Sequence, residues 1–517
     1  MRVNLFGDTG TSWNNSISAS ECVNMTVDFS AEKETAIFRK MPGTKLFYST
    51  NNSSDRILGV FIVPQTFSFQ ARIYFLLRSL GLTSLKSMDE NGVIRNVGAV
   101  PFVFNTRVLW AEGKREDNGK LLIAMASETK TIVVNMRFDP SLDTLSINDL
   151  NNNQQINGLS YLDGFFFIST LANRVYSTIL GGVDFDTSRF AVIESNSGVL
   201  VGHFTDNREL WVMSSQNTSI WYNAANSGFP LLRNSSANIK VGLYSVGSLV
   251  KFGDFSIFLG EKEGGGVAVY RTSGYTLIDI TPKKLKSQLS KLDKNLIFAK
   301  NSLGRKLLIS DTELYILNFN KPEVGTWVYR LSSGMWSKES SSPDEMSKYA
   351  YDSYGIIDMA AKGNEQLNLV IPASSIGSSG QVVSSNEIHS YEMWLNVEAT
   401  VSGQPLTKLV SMTSRYIEGA DEKQLIHRYL KLKFTLIALI TPVMVEVARS
   451  DDEGKTWEEM GAFDIRQNSG LLEFYALGAS IKRLYRITSD YSFGSTTRDN
   501  TTICLTDAYI DTEQLSV

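Results

Sequence analysis

An all-β fold is the class this sequence predicts: a β-propeller of about seven blades, six being the alternative count, followed by a C-terminal β-sandwich or jelly-roll-like domain. Three observations predict it. A hairpin signal recurs at a near-constant interval, helix-period stripes are scarce, and from about Asn386 the glycines thin out while the strands lengthen. At 517 residues the chain exceeds the size at which one core usually stops growing, so a large repeat plus a smaller domain is the natural division. Hydrophobic residues at 43% and charged residues at 20% are ordinary for a folded chain.

Taken in order, residues 1–50 hold few strong strands and are expected to form an N-terminal arm that contributes a closing strand. Residues 51–385 carry the repeat. Its anchors are Ile73-Tyr74-Phe75-Leu76, Leu121-Leu122-Ile123-Ala124, Phe165-Phe166-Phe167-Ile168, Leu210-Trp211-Val212-Met213, Ser256-Ile257-Phe258-Leu259, Leu307-Leu308-Ile309-Ser310 and Leu367-Asn368-Leu369-Val370. Successive anchors start 48, 44, 45, 46, 51 and 60 residues apart, close to the roughly 40–50 of propeller blades. A partner strand follows after a turn, as in Thr131-Ile132-Val133-Val134 or Leu314-Tyr315-Ile316-Leu317. Continuous apolar anchors indicate strands buried on both faces, which stacked blades provide and a lone four-stranded sheet does not. Only Pro282 to Leu292 reads as a short helix. Residues 386–517 form the expected C-terminal domain, with strands at His427 to Leu439, Val443 to Ser450, Gly470 to Ala476, Ile481 to Thr488 and Thr502 to Ile510. The alternation Leu430-Lys431-Leu432-Lys433-Phe434 is that of a strand with one wet face.

Composition excludes some classes of function. A formal net charge of −4 supplies no basic field for general nucleic-acid binding. The opening Met1-Arg2-Val3-Asn4-Leu5-Phe6 lacks a signal-peptide pattern, and the apolar stretch Phe434 to Val447 is too short and interrupted to span a bilayer, so no membrane segment is expected. Cys22 and Cys504 are expected to be two buried thiols in a reducing compartment. The sequons at Asn24 and Asn217 read as turn residues.

The sharpest local motif is Ser450-Asp451-Asp452-Glu453-Gly454-Lys455-Thr456-Trp457, an Asp-box of the kind found on hairpins of sialidases and many other β proteins. In it Ser450, Asp452, Gly454 and Trp457 have local jobs: Asp452 accepts backbone N–H bonds, Gly454 takes a positive φ, and Trp457 packs under the turn. It leaves a carbohydrate-active or carbohydrate-binding propeller as the alternative function. Catalytic candidates are otherwise poor. His203, His389 and His427 have no metal-ligand spacing, Gly264-Gly265-Gly266 reads as a hairpin loop, and Asp184 with Asp186 reads as turn chemistry. No catalytic, metal or cofactor site is expected, and no cofactor. Two basic groups, Arg428, Lys431 and Lys433, and Lys482, Arg483 and Arg486, are the candidate channel or interface residues.

Val23-Asn24-Met25-Thr26-Val27-Asp28, followed by Met41-Pro42-Gly43-Thr44-Lys45-Leu46-Phe47, resembles the opening of phage tail-hub proteins. Gly158 to Phe167, Gly198 to Tyr222 and Lys482 to Thr488 are similar to stretches of the packaged-DNA-stabilisation proteins of short-tailed bacteriophages, also described as head-completion or stopper proteins. The resemblance implies a non-enzymatic tail hub, or nozzle, resident in the virion tail after assembly in the bacterial host cytoplasm. It further implies a homo-oligomeric, six-fold ring beneath the portal adaptor protein, a tail needle or plug that seals it, and an outer surface for tailspike or fibre proteins. DNA would pass through the channel without sequence-specific binding. No individual residue carries over as a binding site.

Overall fold

A computed structural model describes residues 2–4, 21–30, 35–41, 43–63, 71–89, 91–101, 108–114, 121–127, 130–136, 139–150, 155–194, 198–291, 302–309, 312–319, 324–340, 359–362, 367–371, 373–376, 382–392, 397–399, 405–407, 410–418, 423–437, 443–489 and 502–514. Seven antiparallel blades run through it. The first spans Arg56–Val63, Arg72–Ser79, Leu82–Asp89 and Ile94–Ala99, paired in that order. Blades two, three and four repeat the pattern from Leu109–Lys114, Ile156–Leu162 and Leu200–Asp206. In the fifth, the inner strand is broken into Val241–Leu243 and Val250–Phe252, both paired with Phe255–Lys262. The sixth runs from Leu303–Ile309 to Met335–Glu339, and the seventh begins Met359–Lys362, Leu367–Val370, Glu387–Glu392.

Seven separate apolar cores, one per blade interface, close the ring. The alternation of each anchor strand supplies two of them: Ile123 faces the first blade with Tyr74 and Leu85, while Ala124 faces the third with Phe166 and Tyr176. The pattern continues through Phe167 with Val212, Trp211 with Phe258, Ile257 with Tyr315, and Leu314 with Val370. Closure comes where Leu369 and Ile388 of the seventh blade meet Val60 and Phe75 of the first. The anchor Phe165–Thr170 is buried along its whole length, as its continuous apolar character requires.

Two details differ from the sequence expectation. Five of the first six anchors are second strands of their blades, but Leu307 to Ile309 lies in the first strand of the sixth blade. The helix Lys283–Lys291 sits in the connection that precedes it and stretches the interval; its Leu285 and Leu289 pack into the core between blades five and six. The inner strands, which carry little anchor signal, hold glycines where blades approach. A Cβ on Gly242 would lie 2.2 Å from the Ser214 carbonyl oxygen, and one on Gly304 2.3 Å from that of Ser248.

The expected boundaries at residues 50 and 385 both shift. Gly43–Ser49 is the fourth strand of the seventh blade, antiparallel to Glu387–Glu392 and continued by Val397–Ala399 and Pro405–Thr407, so the closing strand comes from the N-terminal part of the chain. Glu387–Glu392 therefore lies in the propeller rather than in the C-terminal domain; strand length and composition could not reveal its partners. Conversely, Met25–Ser30 and Thr35–Lys40 join the C-terminal strands Leu425–Ile437, Leu471–Tyr475 and Thr502–Gln514 in one sheet. The opposing sheet contains Glu21–Val23, Val410–Thr413, Lys482–Ser489, Met444–Ser450 and Glu458–Asp464. Both sheets bury one core, including Met25, Phe38, Leu430, Leu432, Val445, Tyr485 and Ile487, so a sandwich is present but assembled from both ends of the chain.

Propeller and sandwich share a sheet. Glu21–Val23 pairs antiparallel with Val410–Thr413 on one side, while Val23 pairs parallel with Lys338 of the sixth blade on the other. A ten-stranded sheet results, and the outer strand Met335–Glu339 is buried throughout, unlike the exposed outer strands of other blades. Asn24 makes the turn that sends the chain from this sheet into the opposing one. It has φ of 56°, and its side-chain oxygen accepts from the Ser340 N–H at 2.8 Å. The Met41 N–H donates to the Asn24 carbonyl, and the Met41 side chain fills the core between blades six and seven.

Candidate functional site

The Asp-box closes the hairpin between Met444–Ser450 and Glu458–Asp464. Asp452 accepts from the Thr456 N–H at 2.9 Å, the Thr456 hydroxyl at 2.6 Å and the Ser450 hydroxyl at 2.8 Å. These bonds hold its carboxyl down to about 2. Ser450 in turn accepts from the Gly454 N–H, with Glu453 at φ 65° and Gly454 at φ 86°. Trp457 donates its indole N–H to the Gly454 carbonyl at 3.1 Å. Asp452 is thus occupied by its own turn, which is turn architecture rather than acid–base equipment.

The two basic groups lie on opposite sheets of the sandwich. Arg428, Lys431 and Lys433 stand on Leu425–Ile437, and Lys482, Arg483 and Arg486 on Lys482–Ser489. Arg428 pairs with Glu513, and Lys482 pairs with Glu453 at 2.9 Å while its ammonium sits 4.1 Å above the Tyr416 ring. Arg483 is buried and forks onto Asp451 at 2.5 and 2.7 Å. Arg486 lies 4.2 Å over the Trp457 ring, tying the Asp-box to the neighbouring strand. Lys431 lies 5.8 Å from the Tyr509 ring, and Lys433 is exposed. The structure does not bring the two groups together into one basic patch.

The three histidines are buried and neutral. Burial pushes His203 down to about 4, and its Nδ1 meets the Ser169 hydroxyl at 2.8 Å. His427 falls to about 4 through burial and the nearby Arg483, and it contacts Ser480 and Tyr485. His389 is lowered by burial despite Glu387 at 2.9 Å. Asp184 accepts from Ser146, and Asp186 caps the Ser188 N–H. Gly264, Gly265 and Gly266, at φ 91°, 94° and 108°, form the hairpin loop of the fifth blade. Among the described residues no three His, Cys, Asp or Glu side chains converge on a metal position, and no helix is long and apolar enough to cross a membrane. Cys22 is a buried thiol; the side chain of Cys504 lies outside the described residues.

Three features escaped the sequence reading. Asn24 was read as a turn residue and as part of the Val23 to Asp28 stretch, but not as the crossing between two sheets, although a lone Asn between two short strands is a signal for left-handed backbone. The inner-strand glycines precede five anchors by 7 to 14 residues, at Gly59, Gly113, Gly158, Gly202 and Gly242. Tyr429, Tyr475 and Tyr509 come together on the outer face of the sandwich, foreshadowed only by the wet-face alternation around Lys431.

The family model described as "Bacteriophage P22 Gp10, beta-propeller" matches residues 11–357. No curated protein matches the chain. Among solved structures, the crystal structure of the WD40 β-propeller domain of Doa1 is similar over 68% of this chain and 98% of its own, at 11% identity and a TM-score of 0.33.

Proposed function

This chain belongs to the bacteriophage P22 Gp10 β-propeller family of phage stabilisation proteins, and from that premise we propose that it is a tail hub that helps retain packaged DNA in the virion. The observation that carries the reading is the family match itself, which spans the propeller through blade six. The shared ten-stranded sheet supports it mechanically: a connector between rings needs its two domains held in fixed relation. In this reading the chain forms a six-fold ring under the portal adaptor, meets a needle or plug and tailspikes or fibres, and lets DNA pass without reading its sequence. Large self-complementary or heterologous interfaces, each of at least about 1,000 Å², would be required.

The carbohydrate-active alternative loses its principal support, because Asp452 serves its own turn and the Asp-box lies outside the propeller. The test is a phage lacking this gene product, examined by electron microscopy and by mass spectrometry of purified particles. The hub reading expects the chain in wild-type tails, and heads of the mutant that fill and then lose their DNA. Full, stable heads without the protein, or its absence from particles, would overturn it.

A further inference from the structure

Val410–Thr413 and Ile417–Glu418 pair with the same strand, Lys482–Ser489, but not in continuous register. Thr413 stands opposite Arg486 and Ile417 opposite Arg483, so Ser414, Arg415 and Tyr416 face only Leu484 and Tyr485. This is a bulge, which frees one residue from the ladder and re-aims its side chain. Ser414 pins it. Its N–H donates to the Tyr485 carbonyl at 2.7 Å, and its hydroxyl accepts from the Tyr485 N–H at 2.9 Å and donates to the Arg415 carbonyl at 2.8 Å.

Arg415 is left with a charge that the chain does not answer. It is half-buried, and its Nε is closed off from solvent with no hydrogen-bond partner. Burial alone lowers its guanidinium below the ordinary arginine value, with no acid to offset it. The four buried arginines among the described residues are all engaged: Arg72 with Asp143, Arg305 with Glu339, Arg483 with Asp451, and Arg330 with the Thr26 and Ser332 hydroxyls. Lys482, the neighbouring cation, is engaged too: it pairs with Glu453, lies over the Tyr416 ring, and is the cation on which Glu418 bears.

We propose that Arg415 is the anchor for a carboxylate supplied by a partner protein. An unpaired, half-buried guanidinium weakens the chain that carries it, and an oxyanion brought in from outside offsets that cost. A carboxylate matches the guanidinium fork with two parallel N–H bonds. Arg415 and Tyr416, side by side, are residue types that dominate protein interfaces. Glu418, Asp451 and Glu453, on the flanking segments, oppose the approach of a phosphate backbone. This inference does not rest on the hub reading, and binding involves no covalent step.

The experiment is urea unfolding of the full chain at fixed ionic strength in chloride, acetate or phosphate, with acetate standing for the partner's carboxylate. Arg415→Met keeps the apolar stem and removes the charge, so in chloride it should raise the midpoint by roughly 0.2–0.5 M. Acetate in place of chloride should raise the wild-type midpoint by about 0.1–0.3 M more than that of Arg415→Met. Arg415→Lys, which keeps the charge but not the fork, should show roughly half of that gain or less. An unchanged or lower midpoint for Arg415→Met in chloride, or an equal acetate gain in wild type and Arg415→Met, overturns the proposal. So does a gain confined to phosphate, or binding of a labelled oligothymidine that Arg415→Met abolishes, since either assigns the site to a phosphate. Virion incorporation is read separately, so failure here leaves the hub reading to its own test.

Discussion

At the scale of single residues, backbone strain and buried polar groups decide which substitutions are felt. Asn24 holds a left-handed conformation and caps the Ser340 N–H inside the protein. Asn24→Ala should therefore cost roughly 2–3 kcal/mol in denaturant unfolding, and Asn24→Gly less, because glycine recovers the backbone share. Leu80 is the reverse case. It sits at φ 50° in the turn before Gly81, with 90% of its surface exposed, so its side chain contributes almost nothing to burial. Leu80→Asn should stabilise by about 1 kcal/mol by giving the tight hairpin an Asn-Gly turn. His203 predicts a pH dependence. Its folded value of about 4 lies below the ordinary 6.5, so between these pH values the unfolded chain binds a proton that the native one does not. Stability is whole above about pH 6.5 and falls as pH drops toward 4, by up to about 3 kcal/mol from this residue. In urea titrations across that window, His203→Gln should flatten the slope by one proton; an unchanged slope would refute the assignment.

At the scale of elements, the sequence made the blade interiors legible and the places where blades touch illegible. Apolar anchors such as Phe165 to Ile168 announce themselves because burial on both faces leaves no polar position to interrupt them. Inner strands are read less easily: Ile156–Leu162 mixes Asn, Gly and Ser with apolar residues, and its glycine is demanded by a neighbouring blade that local pattern cannot show. The cost of filling such a position should depend on what lies opposite. At Gly242 the obstacles are the backbone atoms of Ser214 and Gln216 at 2.2 and 2.3 Å, whereas at Gly202 the nearest atoms lie 3.3 Å away. Gly242→Ala should cost about 3 kcal/mol and Gly202→Ala under about 1, as measured by thermal or urea unfolding. The Asp-box turn was legible in the backbone N–H bond to Asp452 and the positive φ of Gly454 because its chemistry is local, whereas the bonds made by Ser450, the Thr456 hydroxyl and the Trp457 indole were not foreseen. The two basic groups were not legible, since the acids and rings that engage them come from elsewhere in the chain, Glu513 from the last described strand and Asp451 and Trp457 from the Asp-box turn.

At the scale of the whole molecule, the shared sheet predicts cooperative behaviour. Propeller and sandwich are stitched by Glu21–Val23, which has a hydrogen-bonded neighbour on each side. Calorimetry should show one main unfolding transition, and Cys22→Pro, which places a proline between those neighbours, should split it in two. Two transitions in the unaltered protein would mean that the sheet is continuous in geometry but not in energy. The N-terminal closing strand also has a consequence for biosynthesis. Gly43–Ser49 leaves the ribosome early, yet its partner Glu387–Glu392 follows some 340 residues later. At about 5–20 residues per second, the first strand waits roughly 20–70 s before the ring can shut. Through that interval the nascent chain exposes the flanks of both its first and latest blades, and any chaperone meets an open arc rather than a disc. The final strand, Thr502–Gln514, completes the sheet that holds the earliest segments. Arrival of Thr502–Gln514, not the emergence of any one blade, is thus the event that commits these segments to their native form.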